Sequence, residues 1–128
     1  GCPVISGHVN ANPEAVVSLV VLGPDGQEQE IEAVIDSGFT GQITLPPRLI
    51  AKLGLPLLGQ SRAVLGDGSE IDYDVFEVSL IWDGRARLVN VDSADTEPLL
   101  GMGLLLGHEI AIQVVPGGTV SIRPLFFS

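Results

Sequence analysis

The chain has 128 residues, 45% apolar and 17% charged, with 16 acidic against 6 basic side chains and a net charge of −10. That charge repels phosphate backbones, and the six cations (Arg48, Lys52, Arg62, Arg85, Arg87, Arg123) form no run or stripe, so nucleic acid is not an expected partner. No apolar run approaches the roughly 18 residues that a membrane-spanning helix needs, and a single cysteine, Cys2, rules out an internal disulfide or a cysteine zinc site.

One domain over residues 1–128 is expected, large enough to bury roughly two-thirds of its unfolded surface. No secretory signal is visible, which makes the cytoplasm the expected address and a membrane partner unexpected. The mean hydropathy of +0.41 is high for a small chain that must expose much of its surface. An apolar interface with a second copy would resolve that mismatch, so a homodimer is expected.

Sixteen glycines and nine prolines punctuate short segments of alternating polarity, the pattern of an all-β domain. "VISGHV" and "AVVSLVVLG" read as strands, "GPDGQ" as a turn, and "EQEIEAVI" resumes the alternation up to Asp36. After a glycine turn, "QITLP" is a short strand. "PPRLIAKLGL" then changes period: Pro46 and Pro47 suit a helix start, and Leu49, Ile50 and Leu53 share a face.

"SRAVLGDGSEIDYDV" is a hairpin, with Asp67-Gly68 the kind of pair that supplies the positive φ angles of a tight primed turn. Beyond it the apolar phase flips, from Ile71, Tyr73 and Val75 to Phe76, Val78 and Leu80. A one-residue flip within a strand predicts a bulge or bend near Val75-Phe76, with the tip projecting as an arm. "WDGR" is a second hairpin turn, followed by the strand "ARLVNV" and the polar loop "SADTEP". "LLGMGLLLG" reads as a buried strand end, a glycine pair and a short leucine helix closed by Gly107, with Met102 in the core. "EIAIQVV", the turn "PGG" and "TVSI" form a closing hairpin.

The chemistry concentrates in "AVIDSGFTG", residues 33–41, where an apolar strand ends in a carboxylate followed by a hydroxyl residue and a glycine. Read alone, Asp36-Ser37-Gly38 is an Asx-type turn at a strand end. Read as chemistry, Asp36 is a carboxylate able to activate water. Peptide hydrolysis by that route needs two carboxylates, one as base and one as acid, sharing a proton because both cannot easily ionise side by side. The chain holds one such motif: Asp92-Ser93-Ala94 and Asp67-Gly68-Ser69 lack the glycine or the order. A catalytic Asp36 therefore requires Asp36 of a second copy, brought near by a two-fold axis.

Three features in order give the sequence its resemblance to the retroviral-type (retropepsin-like) aspartic proteases, in particular their small prokaryotic single-domain members. They are "VIDSGFTG", the hairpin "VLGDGSEID" about thirty residues later, and "PLLGMGLLLG". The resemblance runs from about residue 14 to 124 and implies an acid-protease barrel with one or two short helices, active as a two-fold homodimer on peptide or protein substrates. It implies that Asp36 is the catalytic aspartate, one from each subunit, with the attacking water held between them. Ser37 would cross-link the two active-site loops and Gly38 would let the loop approach substrate. Phe39, where many members carry alanine or serine, would narrow or line a subsite beside Thr40. Leu65, Gly66, Asp67, Gly68 and Ser69 would form the flap that closes over an extended peptide. Leu99, Leu100 and Gly101 would pack beneath the active-site loop.

No cofactor and no metal is expected. Asp72 and Asp74 share a strand face without the spacing of a calcium loop, and read as a solvated face. His8 and His108 stand apart from any nucleophile motif and read as structural. Beside the endopeptidase reading stands another: a retropepsin-like dimerisation or peptide-binding module with little or no hydrolysis.

Overall fold

A computed structural model describes residues 5–125. Ten strands and two short helices follow in chain order: β1 (Ile5–Val9), β2 (Ala15–Leu22), β3 (Glu28–Ile35), β4 (Ile43–Leu45), α1 (Pro47–Leu53), β5 (Leu57–Val64), β6 (Glu70–Trp82), β7 (Arg85–Ser93), β8 (Leu99–Leu100), α2 (Met102–Leu105), β9 (His108–Ile112) and β10 (Thr119–Pro124). Cys2, and the first residues of the terminal segment expected to pair as a strand, lie outside the described residues.

The strands form one sheet in the order β5-β6-β7-β4-β8-β3-β2-β1-β10-β9. A further pairing of β6 with β2, Val21 opposite Leu80, closes β2, β3, β8, β4, β7 and β6 into a six-stranded barrel. Alternation in the sequence dictates which side faces in. In β3 Glu28, Glu30 and Glu32 point outward while Ile31 and Ala33 are buried, opposite Leu19 and Val17 of β2. Val17, Val21, Ala33, Ile43, Leu45, Leu80, Val91 and Leu100 are fully buried and fill the barrel. Helix α1 closes one side with Ile50 and Leu53. Its Pro47 occupies the first turn, where no N–H is missed, and Gly54 ends it in the left-handed conformation at φ 63°.

The phase flip in β6 marks where that strand leaves the barrel. Val78, Leu80 and Trp82 are buried between β2 and β7, whereas Glu70 to Asp74 pair with β5 alone. The outer halves of β5 and β6 thus form the expected arm, with Leu57, Leu58, Val64, Leu65 and Ile71 exposed along it. The irregularity itself falls on the partner strand. β6 runs unbroken, and β5 carries the extra residue, Leu58, between the pairs Leu57–Phe76 and Gly59–Val75. A bulge can be accommodated on either strand of a pair, and Gly59, at φ 156°, supplies the backbone freedom on β5.

Of the two Asp-Gly turns, Asp83-Gly84 makes the expected hairpin and Asp67-Gly68 departs from expectation. Asp83 and Gly84 both have positive φ, 52° and 77°, and make the primed turn between β6 and β7. At the arm's tip only Gly68 does, at φ 84°. There a wider loop forms, with Gly68 N–H donating to Leu65 O and Leu65 N–H to Ser69 O. Asp67 caps it: its Oδ1 accepts from Ser69 N–H at 2.9 Å and from Ser69 Oγ at 2.6 Å. These bonds favour the ionised form and hold the Asp67 carboxyl below its ordinary value.

Met102 is another correction, since it is 44% exposed. Helix α2 is a single turn, so only one flank faces the barrel, and Leu104 and Leu105 fill it. His108 packs edge-on to Trp82, whose indole N–H donates to His108 Nε2 at 3.2 Å, tying β9 to β6.

Candidate active site

Asp36 follows the last residue of β3, and its backbone N–H donates to Leu100 O at 2.9 Å. β8 runs parallel to β3, Val34 beside Leu99 and Ile35 beside Leu100, and antiparallel to β4 through Ile43–Leu100. The fully buried Leu100 is thereby wedged between the two strands that enter and leave the Asp36 loop. Leu99 is fixed as well, because its N–H donates to the Oγ1 of the buried Thr44 at 3.0 Å.

The loop from Asp36 to Gln42 is then held from behind by the start of α2. Gly101 N–H donates to Gln42 O, Met102 N–H to Phe39 O and Gly103 N–H to Gly41 O, at 2.9, 2.8 and 3.0 Å. A helix start leaves N–H groups without intrahelical partners, and here the loop's carbonyls take three of them. The approach is close enough to require glycine: a Cβ on Gly101 would collide with the Gly41 carbonyl oxygen, and one on Gly103 would stand 2.7 Å from Thr40 O.

Within the loop, Asp36 Oδ1 accepts from Gly38 N–H at 2.9 Å, the bond of an Asx turn. Oδ2 has no hydrogen-bond partner among the described residues. Asp36 is half-buried, while Ser37, Gly38 and Thr40 are exposed. The carboxylate is therefore held at one oxygen and presented at the other. Phe39 folds its ring back over the loop, with ring atoms 2.6 Å from where a Cβ on either Gly41 or Gly101 would sit.

The structure gathers Asp36 to Thr40 and Leu99 to Gly101 into one unit. It leaves Leu65 to Ser69 at the far end of the arm, and no hydrogen bond among the described residues joins that tip to the loop.

No protein-family model matches the chain, and no curated protein matches it in sequence. Among solved structures it is similar to a retropepsin-like aspartic protease from Rickettsia conorii, with a TM-score of 0.61 and 16% identity. The likeness covers 97% of this chain and 92% of that one. The fold is retropepsin-like.

In this retropepsin-like barrel several residues that shape the loop escaped the reading of motifs. Gly103 is as necessary to the close approach as Gly101, and a Cβ on Gly41 would meet the Phe39 ring and Asp92; the glycine pair of "LLGMG" and the closing glycine of "DSGFTG" carry the signal. Gln42 Oε1 accepts from Asn90 N–H at 2.6 Å, binding the loop to β7. Asp92, set aside as a second dyad member, also lies against the loop, its Oδ2 3.1 Å from a Cβ position on Gly41.

The remaining acidic residues of the arm are occupied: Asp72 accepts from Arg62 Nε at 3.0 Å and Asp74 from Gln60 Nε2 at 3.1 Å. No group of three or more candidate metal ligands occurs among the described residues. Nor is any described helix long and apolar enough to cross a membrane.

Proposed function

We propose that this protein is an aspartic endopeptidase whose active site forms when two copies bring their Asp36 loops together. The observation that carries the reading is the state of Asp36. One carboxylate oxygen is fixed by Gly38 N–H and the other is unpartnered, on a loop pinned by backbone hydrogen bonds to β8 and α2. Such pre-positioning is what a water-activating carboxylate needs. The likeness of the whole barrel to a retropepsin-like protease supports it.

With one proton shared by the pair, the ionised Asp36 takes a proton from the water as it attacks the peptide carbonyl. The protonated partner gives its proton to the carbonyl oxygen, and collapse of the tetrahedral intermediate returns a proton to the leaving amine. The exposed hydroxyl of Ser37 would link the paired loops, and the arm would lie over an extended peptide, adding backbone hydrogen bonds and excluding water.

Replacing Asp36 with Asn removes the titrating group while preserving shape. Peptide hydrolysis should fall by at least about 10³-fold, as loss of an essential acid–base group does, with the circular dichroism spectrum unchanged. The wild-type rate should be bell-shaped in pH, since both the fully protonated and the fully ionised pair are inactive. Hydrolysis retained by Asp36→Asn contradicts the reading. Peptide binding without turnover at any acidic pH would instead favour the binding-module alternative.

A further inference from the structure

Asp92 stands at the junction of the two parts between which a substrate would lie. On one side its residue pairs with Val75 of β6, at the foot of the arm, and on the other with Thr44 of β4. Its neighbour Val91 points into the barrel and is fully buried, so alternation turns the Asp92 side chain to the outer face, where the Asp36 loop crosses β7. There its Oδ2 and the Phe39 ring converge on the bare Cα of Gly41: a Cβ would meet the oxygen at 3.1 Å and the ring at 2.6 Å.

Among the described residues no hydrogen-bond donor and no cation reaches the Asp92 carboxylate, whereas Glu70, Asp72 and Asp74 of the neighbouring β6 each have a partner on β5. Burial without such compensation pushes its carboxyl above the ordinary value. A half-buried carboxylate beside an aromatic ring is the complement of a long cationic side chain. The aliphatic stem lies along the ring while the charged head reaches the oxygen.

We propose that Asp92 is a specificity-determining residue, selecting lysine or arginine at the substrate position that rests against Phe39 and Gly41. The inference depends on the peptide-cleft reading given above, and it names the class of substrate: extended peptides carrying a cationic side chain close to the scissile bond. The net charge of −10 acts in the same direction, drawing cationic peptides to the protein.

The test compares matched peptides that differ only in lysine against acetyl-lysine, scanned through the positions flanking the cleavage site. Cleavage is read as kcat/KM and binding by fluorescence anisotropy. At one position wild-type protein should prefer lysine by roughly tenfold, a factor equivalent to about 1.4 kcal/mol. Asp92→Asn should abolish that ratio, and Asp92→Lys should reverse it in favour of acetyl-lysine. A purely structural role for Asp92 would lower all peptides together and leave the ratio intact, which overturns the proposal. Cleavage with no lysine preference overturns it too, while sparing the protease reading. An Asp92-dependent lysine preference in binding, without turnover, upholds the proposal and removes hydrolysis. Neither cleavage nor binding of any peptide overturns both.

Discussion

Single atoms decide the geometry of the Asp36 loop. Gly101 lacks a Cβ because the Gly41 carbonyl oxygen fills that space, and the same crowding sets Gly103 against Thr40 and Gly41. The loop therefore cannot relax away from α2 without breaking the bonds donated by Gly101, Met102 and Gly103. Gly101→Ala is expected to destabilise the fold by about 3 kcal/mol, the upper range for overpacking a backbone that cannot move. Urea unfolding at unchanged m-value measures it, and a loss below about 1 kcal/mol would show that the contact is not tight. Phe39 belongs to the same packing. Its ring lies over Gly41 and Gly101, so the aromatic after the Asp-Ser-Gly tripeptide is part of the loop's scaffold.

At the scale of elements, the molecule divides β6 between two duties. Its C-terminal half is a barrel stave, buried through Val78, Leu80 and Trp82, and its N-terminal half is held by β5 alone. Few buried contacts and an exposed ladder make the arm the part that opens locally at least cost. Gly68 sits at its tip with φ 84°, a conformation that costs an L-residue about 1 kcal/mol or more. Gly68→Ala should therefore speed amide exchange at Leu65 and Ser69 while leaving the global unfolding midpoint nearly unchanged. Under the proposed function it should also reduce kcat/KM several-fold. A full loss of global stability would mean that the arm is coupled to the barrel more strongly than its pairing indicates.

For the whole molecule, the decisive quantity is the number of Asp-Ser-Gly loops per chain, which is one. If each active site takes Asp36 from two copies, activity per chain must fall on dilution through the dimer's dissociation constant. Each copy carries a charge of −10, so added salt should raise activity at a given low concentration by screening their repulsion. Specific activity measured against protein concentration, alongside sedimentation, checks both. Constant specific activity in a monomeric sample would remove the shared dyad.

Much of this was legible in the chain. Period-two alternation named nearly every strand, because each side chain of a barrel stave faces either core or solvent. Pro46-Pro47 and Gly54 bracketed α1. The flip at Val75-Phe76 located the point where β6 leaves the barrel. Local chemistry also singled out Asp36, since a carboxylate at the end of an apolar strand is conspicuous in one dimension. What the sequence could not assign were features created when distant segments meet. Whether a bulge falls on β5 or β6, and which Asp-Gly turn takes the primed form, depends on the partner strand's register. Gly103 becomes necessary only because α2 is folded against the loop, sixty residues apart in the chain, and Gly41 only because the Phe39 ring and Asp92 converge on it. Asp92 likewise looks like one more acidic residue until β7 carries it beneath Phe39. Short-range patterning determined the elements, and the environment of each side chain in the site was decided by contacts that exist only once the barrel has closed.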